Sequence, residues 1–425
     1  MNYSEALEFI HGVNFTFCKP GLERIRELCQ RLGNPQDGLK FIHVAGTNGK
    51  GSFCSMLSSV LRAAGYKTGL YTSPYILRFN ERMQVDGVQI TDEALCRLCD
   101  TVKPIADEMA DKPTEFELIT AIAFLYFKEM GCEYVVLEVG MGGRLDATNI
   151  IENPVLSVIT GIALDHTAYL GDTVEKIAAE KAGIIKNAPT LYGGTSDEAA
   201  GVIEDAARHF CVPYTRVDYS SLSVLESSVF GSTFNFGEWK NIKVSLAGLY
   251  QPRNGAVVLS AIEILRKRGI EIPDSAVYEG LKNARWKARF EVLLNEPLLI
   301  FDGAHNPEGV SAAVESIKEY FQKPVHVLTG VLRDKDYLYI AGKISEVASF
   351  ISTVTPNNPR ALAANEYRDI FISLEKEAVA YESLEAAVLP ALEMAKAEGA
   401  ALVCLGSLYT YVDLIEILKK KEILK

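Results

Sequence analysis

The stretch Phe41-Ile-His-Val-Ala-Gly-Thr-Asn-Gly-Lys-Gly-Ser52 decides the fold. A short apolar run ends in a glycine-rich turn with one lysine at the mouth of a helix, the strand–loop–helix order that cradles nucleotide phosphates. Gly46, Gly49 and Gly51 let backbone N–H groups wrap an anion, and Lys50 brings a point charge to its β/γ end. Phe53, Met56, Leu57, Val60 and Leu61 follow at helical spacing, with Gly65 as a stop. A general phosphate loop has Ser or Thr directly after the lysine. Here Gly51 intervenes before Ser52, so the usual magnesium-binding hydroxyl is not assured.

Strand and helix patterns alternate outward from this loop, which predicts an α/β chain with a mostly parallel sheet flanked by helices. Apolar strands end at Gly46, near Ser73, at Glu138 and near Thr160. Helices are expected over 91–110, 116–130, 172–182 and 254–267, and residues 221–246 read as an all-β interruption. After Arg289 the pattern restarts. Strands are expected at 298–302, 325–329 and 401–405, with helices over 307–321 and from Leu408. At 425 residues two domains are expected. The boundary is placed near Asn295-Glu-Pro297, giving 1–295 and a smaller second α/β unit, 296–425.

Several residues could carry chemistry. Tyr134-Val-Val-Leu-Glu138 is a buried strand ending in a carboxylate, the position from which phosphate-loop folds hold Mg²⁺. Val139-Gly-Met-Gly-Gly-Arg-Leu-Asp-Ala-Thr-Asn149 follows, and so many glycines after a buried strand suggest close approach to a ligand. Asp165-His166 follows the next strand and should emerge at the same C-terminal edge, where open α/β sheets bind ligands. Lys181 ends a helix and, by periodicity alone, is a cation facing the negative end of the dipole. Asp302-Gly-Ala-His-Asn-Pro307 puts a carboxylate and an imidazole on a second strand-end loop, with Asn306 and Pro307 as a helix start.

Composition narrows the function. A formal charge of −12 supplies no basic excess for nucleic acid. No apolar run reaches the roughly 18 residues of a membrane span, and the first residues lack a secretory leader, so a cytoplasmic protein is expected. Eight cysteines are too sparse for a disulfide framework. Cys96-x-x-Cys99 has no second pair beside it and reads as free thiols rather than zinc ligands.

Taken together, the motifs resemble the folylpolyglutamate synthases, a branch of the Mur-ligase superfamily. The resemblance rests on Gly21-Leu-Glu-Arg24, the run from His43 to Ser52 with its Gly51, Leu70 to Pro74, and Arg78-Phe-Asn-Glu-Arg82. It continues through Leu137 to Asn149, Ala163 to His166, Glu180 to Ile185, Gln251 to Asn254, Trp286 to Glu291, Asp302 to Pro307 and Gly406 to Tyr409. It implies a Mur-type central domain with the phosphate loop and a smaller Rossmann-like C-terminal domain, with ATP in the cleft between them. On this pattern Asn48, Gly49, Lys50, Gly51 and Ser52 hold the triphosphate. Ser73, Glu138 and His166 ligate Mg²⁺, and Lys181 is carboxylated by CO₂ to a carbamate metal ligand. Asn254, Arg289, Asp302 and His305 contact the nucleotide. Thr114, Glu115, Phe116 and Glu117, with Leu145, Asp146 and Ala147, touch the folate or pterin.

The resemblance implies ATP as cosubstrate, Mg²⁺, room for a monovalent cation such as K⁺, and a monomer acting on small molecules. Lys50, His166 and Lys181 would serve the transfer that turns a folate γ-carboxylate into an acyl phosphate, which L-glutamate then attacks. Joining of dihydropteroate to L-glutamate stays open as a second activity. The rival readings are a Mur-type ligase acting on nucleotide-sugar peptides and an ATP-driven switch. Gly51 and an approach of only about forty residues before the loop argue against the first. Turnover without folate and glutamate would mark the second.

Overall fold

The computed structural model describes residues 1–12 and 21–424, and the chain divides into two compact units. Unit 1 comprises Met1–Ser221 and Arg253–Ala284, and unit 2 Leu222–Pro252 and Arg285–Lys425. Unit 1 is built on β1 (Lys40–Ala45), β2 (Thr68–Tyr71), β3 (Met83–Val85), β4 (Val88–Gln89), β5 (Tyr134–Glu138), β6 (Leu156–Ile159), β7 (Thr190–Tyr192) and β8 (Tyr214–Arg216). They lie in the order β4-β3-β2-β5-β1-β6-β7-β8. Only β3 runs against the rest, antiparallel to both of its neighbours β2 and β4. The central strands β1, β5 and β6 are buried along nearly their whole length and read as near-continuous apolar runs rather than alternations.

β1 lies at the centre, with β5 on one side, pairing Val44 with Glu138, and β6 on the other, pairing Ala45 with Ile159. The glycine turn after Ala45 therefore opens between the carboxyl ends of two neighbours, the crevice where such sheets bind ligands. The helix Lys50–Ala63 runs back over the sheet and stops before Gly65, whose φ of +90° no β-carbon-bearing residue adopts readily. Its Phe53, Met56, Leu57, Val60 and Leu61 are fully buried, each contributing about 1.5–3 kcal/mol. The helix Asp274–Asn283 approaches it so closely at Gly280 that a β-carbon there would lie 2.4 Å from Val60 Cα. The phosphate-loop helix is thus clamped between sheet and helix.

The expected helices appear as Asp92–Glu108, Glu115–Glu129, Val174–Ala182 and Gln251–Lys267. The third starts two residues later than 172 because Thr173 caps it, its side chain accepting from the Lys176 N–H. Among the described residues, further apolar clusters lie on the β2–β5 side and against β6 and β7.

Unit 2 holds an antiparallel sheet of β9 (Ser223–Ser228), β10 (Gly231–Phe236) and β11 (Trp239–Val244), which is the all-β interruption of the sequence. Its main sheet is formed by β12 (Glu291–Asn295), β13 (Leu298–Asp302), β14 (Val325–Thr329), β15 (Ala348–Thr353), β16 (Ala378–Ala380) and β17 (Leu402–Leu405). The order is β12-β13-β17-β14-β15-β16, parallel except for β12. The expected boundary at 295/296 is corrected here. It falls inside the β12–β13 hairpin, where Asn295 pairs with Leu298, so the compact units part at Ala284/Arg285 and the 222–252 segment belongs to the second.

Candidate active site

The loop after β1 is held in a conformation that only glycine tolerates. Gly46 has φ +152° and Gly49, which precedes the helix, has φ +83°. A β-carbon on Gly46 would lie 2.0 Å from Thr160 Oγ1, and one on Gly49 2.8 Å from Asn254 Oδ1. The loop is tied to the exit of β6: Thr160 Oγ1 donates to Asn48 O at 2.7 Å, Thr47 N to Gly161 O at 2.8 Å, and Ala163 N to Thr47 Oγ1 at 3.0 Å. Lys50 curls over its own turn, its ammonium donating to Gly46 O at 3.0 Å and lying 3.9 Å from Glu138 Oε1. Gly51 and buried Ser52 fall in the first helical turn. Backbone N–H groups at this N-terminus, together with Lys50, form a cradle for an anion.

Lys50, Asp165, His166 and Lys181 line one pocket with Gly46 and the turn 139–142. Lys181 does not serve its own helix end. It is buried, at 4% exposure, and its Nζ donates to Gly46 O at 2.9 Å. Burial, aided by the charge of Lys50, pushes its ammonium down to about 7. That leaves a large neutral fraction near neutral pH. His166 enters the pocket from a left-handed residue, φ +49°, with its N–H donating to Asp165 Oδ1.

Ser73 and Glu138 meet each other, the Ser73 N–H donating to Glu138 Oε2 at 3.2 Å. Lys50 is the residue common to this pair and to the pocket. Among the described residues no three His, Cys, Asp or Glu side chains gather as a metal site. The donors at hand are instead a serine hydroxyl, one buried carboxylate, an imidazole and an amine held partly neutral. Oxygen donors of this kind fit Mg²⁺, and a carbamate on Lys181 would supply the oxygens that the carboxylate count lacks.

The glycines after β5 divide their work. Gly140 and Gly142 line the pocket. At Gly143, however, a β-carbon would stand 2.7 Å from Glu180 O and 3.0 Å from Lys181 Cα. The close approach there is to the helix that carries Lys181, not to a ligand.

The segments expected to touch folate are partly engaged in the fold. Thr114 and Glu117 form a reciprocal helix-start box, and Glu117 Oε2 also accepts from Arg24 Nε at 3.0 Å. Glu115 pairs with His11 at 3.1 Å, and the ring of Phe116 covers Gly140. Asp146 is buried and accepts from Met141 N–H, Thr148 N–H and Thr148 Oγ1. Burial nevertheless raises its carboxyl above the usual range. Ala147 is buried beside it, and Leu145 stays exposed.

In unit 2, Arg289 precedes β12 and Asp302 ends β13. Asp302 is buried; its Oδ2 accepts from Phe290 N–H at 2.8 Å and Tyr250 OH at 3.0 Å, and its Oδ1 from Ala304 N–H at 2.8 Å. Burial raises this carboxyl too. His305 Nδ1 lies 2.9 Å from Gly303 O, and Asn306 caps the helix Pro307–Tyr320 as expected.

Sequence reading missed Thr47 and Thr160 as the ties of the loop, and Met141 as a pocket wall. Hydroxyls at strand ends are common, and nothing in their spacing distinguishes these two.

The Mur ligase middle domain model matches residues 44–262, and the model of the Mur ligase glutamate ligase domain matches residues 288–408. The dihydrofolate synthase/folylpolyglutamate synthase of Bacillus subtilis is 37% identical over 430 residues, spanning 98% of this chain and 99% of its own. The crystal structure of folylpolyglutamate synthase from Thermotoga maritima superposes with a TM-score of 0.85 at 34% identity, over 99% of this chain and 97% of that one. Escherichia coli FolC in complex with DHPP and ADP gives 0.86 at 29% identity, over 99% of both chains. With a phosphate loop, a depressed lysine beside it and matches over nearly its full length, the chain belongs to the folylpolyglutamate synthase and dihydrofolate synthase family of Mur ligases.

Proposed function

We propose that this chain is an ATP-dependent ligase that adds L-glutamate to the terminal γ-carboxylate of a folyl-poly-γ-glutamate, giving ADP and phosphate. The observation that carries the reading is the pocket shared by the phosphate loop, Lys50, His166 and Lys181, in a chain of this family. The E. coli relative solved with ADP supports the nucleotide assignment.

A carboxylate is a poor acyl donor because its leaving group would be oxide. Transfer of the γ-phosphoryl group makes an acyl phosphate; the glutamate amine attacks its carbonyl and inorganic phosphate leaves. Lys50 and the N–H groups of Asn48 to Ser52 stabilise the charge spread over the transferring phosphoryl oxygens. Asn254, beside Gly49 in unit 1, and Arg289, Asp302 and His305 of unit 2 are assigned to the nucleotide. Mg²⁺ would be held by Ser73, Glu138, His166 and Lys181 as its carbamate, and when bound it neutralises charge on the β and γ phosphates. Carbamate formation joins the neutral Lys181 amine to CO₂ and releases one proton. The depressed ammonium supports that step. Phe116 and Leu145 are assigned to the folate; Thr114, Glu115, Glu117, Asp146 and Ala147 would shape that surface.

The test is ADP release by the full chain. It should require both a folate and L-glutamate; turnover with ATP alone would make the protein a nucleotide switch. A second reading, that it also joins dihydropteroate to L-glutamate, is favoured by the double name of the B. subtilis relative. Dihydropteroate as the sole acceptor decides it.

A further inference from the structure

Arg289 stands between two buried residues held in the left-handed region, Ala288 at φ +54° and Phe290 at φ +44°. L-residues keep such a conformation only where their surroundings over-determine it. Here each flanking N–H is pinned by a carboxylate, and each carboxylate is backed by a phenol. Glu291 Oε2 accepts from Ala288 N–H at 2.7 Å and from Tyr411 OH at 2.8 Å. Asp302 Oδ2 accepts from Phe290 N–H at 2.8 Å and from Tyr250 OH at 3.0 Å. Gly303 N–H closes the turn on Ala288 O at 2.9 Å. The Arg289 guanidinium passes over Gly303, where a β-carbon would meet Nη1 at 2.7 Å.

We infer that Glu291, locked by Tyr411, is a positioning residue whose work is to present the Arg289 guanidinium to the nucleotide phosphates. This rests on the nucleotide role proposed above for Arg289. Glycine at 288 would form the turn without help but would also leave it other conformations. Alanine held by a carboxylate leaves one. The side chain then starts from a fixed Cα–Cβ direction and loses less freedom when it meets an anion. The Tyr411 ring is buried, edge-on to Phe301 at 4.8 Å between centroids, so its hydroxyl is itself fixed.

The experiment is a double-mutant cycle on the full chain, with ATP and L-glutamate varied separately. Glu291→Ala should lower kcat/KM for ATP about ten-fold, the scale of one charge-assisted hydrogen bond, with KM for L-glutamate unchanged. Glu291→Gln keeps an acceptor oxygen and should fall between the two. Tyr411→Phe should cost about two-fold, because it loosens the Glu291 carboxylate without removing the bond that carboxylate accepts from Ala288 N–H. In an Arg289→Ala background all three should add nothing further. A full additional loss in that background overturns the inference, as does a lowered melting temperature with kcat/KM for ATP intact. If Arg289→Ala alone leaves kcat/KM for ATP unchanged, the nucleotide role of Arg289 fails, a result distinct from the other two. Should Glu291→Ala not fold, Glu291→Gln and Tyr411→Phe carry the same cycle.

Discussion

Replacing Lys181 by methionine should make the protein more stable in acid and slightly less stable in base. The lysine is 4% exposed, and its ammonium falls from an ordinary 10.5 to about 7. At 1.36 kcal/mol per pH unit that difference corresponds to roughly 5 kcal/mol against the charged form, as an upper figure. The sign follows from proton counts. Below about pH 7 both folded and unfolded chains carry the proton, and the folded state bears the full cost of a buried ammonium. Between about 7 and 10.5 the unfolded chain holds the proton that the folded chain has released, so stability rises with pH. Above that window the cost is gone. Methionine has similar length and no charge, but it leaves Gly46 O without the 2.9 Å donor, a loss of about 1 kcal/mol. The variant should therefore gain up to roughly 4 kcal/mol near pH 6, and should fall about 1 kcal/mol below the parent above pH 10.5. Urea unfolding of both proteins in CO₂-free buffer reads the difference, in which contributions from other groups cancel. A pH-independent difference, or a methionine variant weaker at pH 6, would show that burial does not penalise the Lys181 ammonium. The same depression matters for chemistry: at pH 7 about half the amine is neutral, against on the order of one in three thousand for an ordinary lysine.

Lys50→Ala should keep the fold and lose on the order of a hundredfold or more in turnover; near-normal ATP-dependent glutamate addition by the folded variant would contradict the loop assignment. Lys181→Arg should be inactive, since guanidinium stays charged and cannot take up CO₂, while Lys181→Ala should regain some activity with added acetate; a fully active arginine variant would rule out the carbamate. Gly46→Ala should destabilise unit 1 by about 2 kcal/mol or more, through positive φ and the 2.0 Å approach to Thr160 Oγ1; thermal unfolding measures it, and an unchanged midpoint would mean that the loop relaxes freely. Thr160→Val should raise KM for ATP a few-fold by releasing Asn48 O, with KM for L-glutamate as the control.

Elements whose signals are local could be read directly from the sequence. The run 41–52, with glycines at the positions of positive φ and an apolar helix behind it, specified the phosphate loop because strand, turn and helix each leave their own period in neighbouring residues. Leu298–Asp302 and Val325–Thr329 were legible as strands for the same reason. The roles that depend on distant partners were not. Periodicity made Lys181 a helix-end cation, and only the resemblance pointed elsewhere. It is the fold that buries its amine against Gly46, 135 residues away in sequence, and burial is what lowers its proton affinity. The boundary at 295/296 failed because Pro297 looks like a linker and is in fact the turn of a hairpin, a pairing that sequence spacing alone does not distinguish. Gly143 and Thr160 depended on the same thing. What a glycine makes room for, or a hydroxyl ties down, is fixed by which chain segment tertiary packing brings alongside, and that segment is not its neighbour in sequence.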